Sequence, residues 1–246
     1  MTTTVTITGS GTPIPTPDRA GPGVLVRHGG LHLLFDAGRA TLPRLVEAGS
    51  SQADRSAVLL THYHSDHLVG LQDIVLSRWV MDGDDEAPPL PVVAPTGATT
   101  EFCEHMLDIW RDDLAVRARH NGRDPQPRLE VIGFATPTEP TVVWSDQGVT
   151  VLAGPVRHEP VEGAVGYRVE TPDGIVAISG DTRVCDEFAE LARGSDVVVY
   201  EAMRMDVIAQ RPPERRYIME YHADTRLIGS QMAELDIPTV MLTHLI

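Results

Sequence analysis

The chain has 246 residues, 42% of them hydrophobic, and 35 acidic residues against 20 basic ones give it a formal net charge of -15. That length suits one large domain or two small ones. The acidic balance disfavours a long polyanionic partner, because nucleic-acid binding draws much of its affinity from Lys and Arg displacing counterions.

The start reads as strands. Val5-Thr6-Ile7-Thr8 alternates at period two, and the turn-rich Gly9-Ser10-Gly11-Thr12-Pro13 follows. With no basic n-region and no apolar stretch of the ~20 residues a membrane span needs, the sequence predicts neither signal peptide nor membrane segment, and a cytoplasmic protein is expected. Val24-Leu25-Val26 and Leu31 to Phe35 form a predicted hairpin about Gly29-Gly30. A helix is predicted over Leu42 to Ala48, a strand over Ala57 to Leu60, and a helix over Leu68 to Met81 with Leu71, Ile74, Val75 and Leu76 on its apolar face. Residues 82 to 91 read as an acidic loop, and Val92 to Ala94 as a short strand. Thr99 to Arg119 is a predicted long helix with Phe102, Met106, Ile109, Trp110 and Leu114 on one face; that face packs on the body or forms a lid over a pocket, spanning 99–120. Strands then return at Leu129 to Ile132, Val142 to Trp144, Val149 to Leu152, Ala164 to Glu170, Ile175 to Ile178, Val197 to Tyr200 and Thr239 to Leu242. The two cysteines, Cys103 and Cys185, have no CxxC partner and read as buried or incidental thiols. His28, His32, His105 and His120 match no motif and read as surface or incidental.

The most informative segment is Thr61-His62-Tyr63-His64-Ser65-Asp66-His67-Leu68, directly after an apolar strand. Unpaired imidazoles side by side lose solvation and gain nothing from packing. A metal reverses that balance, since neutral imidazole and carboxylate are ligands that Zn2+ prefers. The octapeptide holds more ligands than one tetrahedral ion takes from a single loop, which suggests two metals. Metal-ligand residue types recur near other strand ends: His158, Asp181 after Ser179-Gly180, Glu201 after Tyr200, and His244 after Thr243. Rigid strand ends can hold ligands in fixed geometry.

His62-x-His64-x-Asp66-His67, then His158, then Asp181 in Gly180-Asp181-Thr182, then His244, resembles the metallo-β-lactamase superfamily over nearly the whole chain. Gly9 to Pro13, Leu33-Leu34-Phe35-Asp36-Ala37-Gly38, Tyr200-Glu201-Ala202 and His222 are similar to its ribonuclease Z-like and arylsulfatase-like branch. The resemblance implies an α/β (α+β) fold, a four-layer αββα sandwich forming a single domain over 1–246. It also implies that His62, His64 and His158 hold one metal, that Asp66, His67 and His244 hold a second, and that Asp181 bridges them. Two Zn2+ ions are expected, with Mn2+ or Fe as other occupants. Asp36 would orient a ligand imidazole. His222 would protonate the leaving group with Glu201 supporting it, and Asp66 joins them as a catalytic residue.

Two departures stand out. Only 23 positions separate His158 from Asp181 (158 to 181), and two predicted strands fill them, leaving no room for the long basic arm of tRNA-processing members. The chain also stops two residues after His244, so its C-terminus reads as incomplete. The expectation is therefore a dinuclear hydrolase acting through metal-activated water on a small ester-type substrate: a phosphodiester, an aryl ester or sulfate, or a lactone. Nucleic acid and membrane are not expected partners, and a homodimer is. The alternatives are a tRNA 3′-processing endoribonuclease, an iron-dependent redox member of the same fold, and a non-catalytic scaffold.

Overall fold

The early strands carry apolar residues at successive positions, because both of their faces are buried. In the computed structural model, which describes residues 2–51, 54–82, 87–122 and 126–246, Val24, Val26, Leu33 and Phe35 face an inner core, while Leu25 and Leu34 face an outer one. Strands β1 (Thr4–Gly9), β2 (Gly23–His28), β3 (Leu31–Phe35), β4 (Ala57–Leu59), β5 (Leu90–Pro95) and β6 (Leu129–Phe134) form one sheet in that order. β1 to β3 pair antiparallel and β3 to β6 parallel. The second sheet contains β7 (Thr141–Asp146), β8 (Val149–Pro155), β9 (Val165–Thr171), β10 (Gly174–Ile178), β11 (Val197–Ala202) and β12 (Thr239–Leu245). It is antiparallel from β7 to β10 and parallel from β10 to β12.

The helices are α1 (Thr41–Glu47), α2 (Ser65–Leu68), α3 (Leu71–Met81), α4 (Ala98–His105), α5 (Arg111–Asn121), α6 (Asp186–Ala192), α7 (Met205–Ile208) and α8 (Thr225–Glu234). Leu42 and Leu45 of α1, Leu71 and Ile74 of α3 and Cys103 of α4 cover the outer face of the first sheet. Phe188 and Leu191 of α6 and Ile228 and Met232 of α8 cover that of the second. Between the sheets, the Phe35 and Tyr167 rings meet at 5.3 Å, tilted by 57°. The result is the expected αββα sandwich. No helix among the described residues is long and apolar enough to cross a membrane.

Two predicted helices form differently. The one expected over Leu68 to Met81 breaks at Val69-Gly70. A side chain at Gly70 would lie 2.1 Å from the Gly38 carbonyl oxygen, so the backbones of these two loops approach too closely for any other residue. The helix expected over Thr99 to Arg119 divides into α4 and α5 around a 3-10 turn at Asp108–Trp110. α4 turns Cys103 onto the first sheet, while α5 turns Leu114 and Ala118 onto Trp79 of α3. Ile109, expected on the shared apolar face, is 80% exposed. Of the acidic run at 82–86, only Asp82 lies within the described residues, 3.8 Å from the Arg128 guanidinium.

Candidate metal centre and active site

The first sheet delivers the octapeptide. Asp36, immediately after β3, accepts hydrogen bonds from the Thr61 N–H and the Thr61 hydroxyl, each at 2.8 Å. The same carboxylate lies 2.8 Å from His67 Nδ1. Asp36 itself is left-handed, at φ 58°, a conformation that Asp tolerates better than most residues. The Ala37 N–H donates to the His67 carbonyl (2.7 Å) and the Gly70 N–H to the Ala37 carbonyl (2.8 Å). These bonds tie the Asp36 turn to the single turn of α2, where Asp66 and His67 are buried.

The second sheet supplies the partners. His158, after β8, lies with Nδ1 3.2 Å from the Tyr221 carbonyl oxygen, placed to donate to it. Gly180, at φ 60°, turns the chain after β10 in a space where a Cβ would lie 2.8 Å from the Val165 carbonyl oxygen, and the turn brings Asp181 inward. At the end of β12 the register slips: Glu201 pairs with Thr243, but Ala202 pairs with Leu245. His244 is the extra residue of this bulge, at φ 44°. Bulges re-aim a side chain in this way.

All seven expected ligands converge. His62, His64, His158 and Asp181 form one group, and Asp66, His67 and His244 a second. Asp181 Oδ2 is central: 3.3 Å from His67 Nε2, 3.4 Å from His244 Nε2, and 3.9 Å from both His62 Nε2 and His158 Nε2. Asp66 Oδ2 lies 3.3 Å from His244 Nε2.

The donor set fits a divalent cation. Nε2 of His62, Nε2 of His67 and Oδ1 of Asp181 are buried without a hydrogen-bond partner, a costly arrangement for polar atoms unless a ligand engages them. Burial holds the His62 imidazole well below its ordinary pKa and takes His158 down to about 4. Neutral imidazole is the form that binds metal. Burial opposes the charge on Asp181, but His244 and His67 hold its carboxyl well below the usual range. Burial likewise opposes a charge on His67, yet Asp181 and Asp36 raise its pKa well above the ordinary value. The field at that point favours positive charge.

Beside this cluster lies a second unit. His222 Nδ1 is 2.8 Å from Oε1 of Glu201, and Oε1 also accepts from the Thr182 N–H at 2.8 Å. Glu201 is fully buried and His222 nearly so. Burial would lower the His222 pKa, but the Glu201 carboxylate raises it above the ordinary imidazole value. The His222 ring packs 5.3 Å from His158 and 5.4 Å from His244, centroid to centroid.

Some functional contacts were not foreseen. The Tyr221 carbonyl behind His158 and the Tyr167 hydroxyl, which donates to the Leu60 carbonyl at 2.7 Å, come from segments distant in sequence and carry no motif. His28, read as surface or incidental, is buried, 2.9 Å from the Thr3 hydroxyl and 3.6 Å from Asp173. Cys103 is buried as expected, and burial pushes its thiol up to about 12.

An αββα sandwich whose strand ends converge on a buried His/Asp cluster, with an imidazole–carboxylate pair at its side, is the architecture of a metal-dependent hydrolase. Residues 32–245 match the model of the Beta-lactamase superfamily domain, and the chain belongs to the metallo-β-lactamase superfamily, on its ribonuclease Z-like branch. It is 37% identical over 242 residues to Ribonuclease Z of Mycobacterium bovis (strain BCG / Pasteur 1173P2), covering 98% of this chain and 85% of that protein. Ribonuclease Z of Mycobacterium tuberculosis H37Rv is 35% identical over the same length, covering 98% of this chain and 84% of that protein. The fold is similar to that of human tRNase Z, short form, with a TM-score of 0.71 at 19% identity, covering 98% of this chain and 92% of that one.

These relatives correct one expectation. A small-molecule partner with nucleic acid excluded does not stand, because proteins aligned over almost the whole chain are ribonucleases by name. The segment between His158 and Asp181 is indeed filled by β9 and β10, but the absence of an arm there does not decide the substrate. Net charge is a whole-molecule sum that governs long-range steering. A phosphodiester is gripped by groups a few ångströms away.

Proposed function

We propose that this protein is an RNA phosphodiesterase of the ribonuclease Z type, a tRNA 3′-processing endoribonuclease. The observation that carries this reading is the Glu201–His222 pair at 2.8 Å beside the two His/Asp groups. A ribose oxygen leaves poorly as an alkoxide, so a positioned acid is needed at this place. The ribonuclease relatives support the same substrate class.

His62, His64, His158 and Asp181 would hold one divalent ion, and Asp66, His67, His244 and Asp181 another, with Zn2+ the occupant we favour. Ions bound there supply Lewis-acid activation of water and of the attacked phosphoryl group. The chain's own residues do the rest. Asp36 and the Tyr221 carbonyl fix the rotamer and tautomer of His67 and His158, leaving both Nε2 atoms free for the site. The Glu201 carboxylate favours the protonated form of His222 against the opposing effect of burial. As the scissile phosphorus–oxygen bond breaks, His222 gives its proton to the departing ribose oxygen, and water supplies the oxygen gained by the phosphate.

Incubating the metal-loaded protein with a tRNA precursor bearing a 3′ trailer tests the reading. A discrete cut at the 3′ side of the mature tRNA is expected. An intact precursor under conditions where an aryl phosphodiester is turned over would reject it.

A further inference from the structure

Between β11 and α8 the chain makes an excursion whose two ends are fastened together. The Met203 N–H donates to the Ala223 carbonyl (2.8 Å) and the Thr225 N–H to the Met203 carbonyl (3.1 Å). The base of this loop is therefore at Glu201 and His222. Its tip reads Arg211-Pro212-Pro213-Glu214-Arg215-Arg216-Tyr217, three arginines against one glutamate on a chain of net charge -15. All seven residues are exposed. Among the described residues, none of the three arginines enters an ion pair, whereas the neighbouring Arg204 is committed to Asp206 at 2.8 Å. The tip is also stiffened. Two prolines restrict φ, the Arg215 and Arg216 N–H groups donate to the Pro212 and Pro213 carbonyls, and the Arg216 guanidinium donates to the Arg211 carbonyl at 2.6 Å.

Aromatic rings lead from this tip into the site. Tyr217 is 60% exposed. Its ring lies 6.3 Å from that of half-buried Tyr221, and the Tyr221 ring lies 5.3 Å from that of His158. An exposed ring beside arginines that enter no ion pair among the described residues is what single-stranded nucleic acid needs, since bases stack on aromatic faces and cations track the backbone.

We propose that the loop from Arg211 to Tyr221 is the RNA-docking surface of this protein, with Arg211, Arg215 and Arg216 on backbone phosphates and Tyr217 stacking an unpaired base that leads toward His158. This inference rests on the proposed RNA chemistry for its biological meaning but is read by binding, which needs no turnover. The experiment is fluorescence anisotropy of a labelled, phosphorothioate-linked RNA hairpin with a single-stranded 3′ extension, titrated with the metal-loaded protein across a range of salt. For three phosphate contacts, alanine at Arg211, Arg215 and Arg216 should flatten the slope of log affinity against log salt by about two. Affinity at low salt should fall at least tenfold. Lysine at the same three positions should restore most of the binding, and Tyr217→Ala should weaken it roughly fivefold or more. Equal binding by wild type and the triple alanine variant, or no binding by wild type, overturns the proposal. Cleavage of the tRNA precursor separates the two readings. RNA bound through this loop but never cut leaves the docking surface standing and removes the ribonuclease assignment. RNA cut equally well by wild type and the triple alanine variant does the reverse.

Discussion

The carboxylate of Asp36 reaches His67 Nδ1 at 2.8 Å while holding Thr61 through both its backbone N–H and its hydroxyl. One residue immediately after β3 thereby holds both Thr61 and His67 of the octapeptide. Asp36→Asn keeps a side chain suited to φ 58° but cannot accept from all three donors. Partners of this kind typically contribute a factor of 10–100 in metal affinity, so competition against a fluorescent chelator should show about that loss. Unchanged affinity would remove Asp36 from the site's support.

The Glu201–His222 pair is the proposed proton source, and its test lies in the leaving group. General acid catalysis contributes roughly 10²–10⁴-fold, so Glu201→Gln and His222→Ala should each lower kcat on RNA within that range, with KM little altered. An aryl phosphodiester, whose phenolate leaves without help, should lose far less. Equal losses on both substrates would indicate a structural role for the pair.

Tyr167 crosses from the second sheet to the last residue before Thr61, donating to the Leu60 carbonyl at 2.7 Å. Removing a buried donor leaves its acceptor unsatisfied at about 1–3 kcal/mol. Tyr167→Phe should be less stable by that amount in urea unfolding, with an unchanged denaturant slope. A neutral substitution would mean that water reaches Leu60.

The site was legible in the sequence to the extent that its chemistry is local. His62, His64, Asp66 and His67 fall within six positions, and no apolar core would keep them together. His158, Asp181 and His244 lie at or shortly after strand ends, and it is the resemblance to the metallo-β-lactamase superfamily that marks them as candidate ligands. The supporting contacts were not found, since the Tyr221 carbonyl and the Tyr167 hydroxyl act across 63 and 107 positions and every residue has a carbonyl. The break at Val69-Gly70 is non-local in the same way: Gly70 is needed because Gly38 packs on it, a fact of the tertiary structure. Net charge does not decide the substrate, because 35 acidic residues are a sum over the whole chain, while three exposed arginines that enter no ion pair among the described residues stand together at 211–216.

Metal and RNA chemistry meet in one titration. Metal-stripped protein is supplied with increasing Zn2+ while cleavage of a 3′-extended tRNA precursor is followed, with bound metal determined on the same samples. Cleavage should rise with loading and level off near two ions per chain, and Asp181→Ala should stay inactive throughout. Precursor left intact at every loading, by protein shown to contain the metal, would contradict the assignment of this site to RNA hydrolysis.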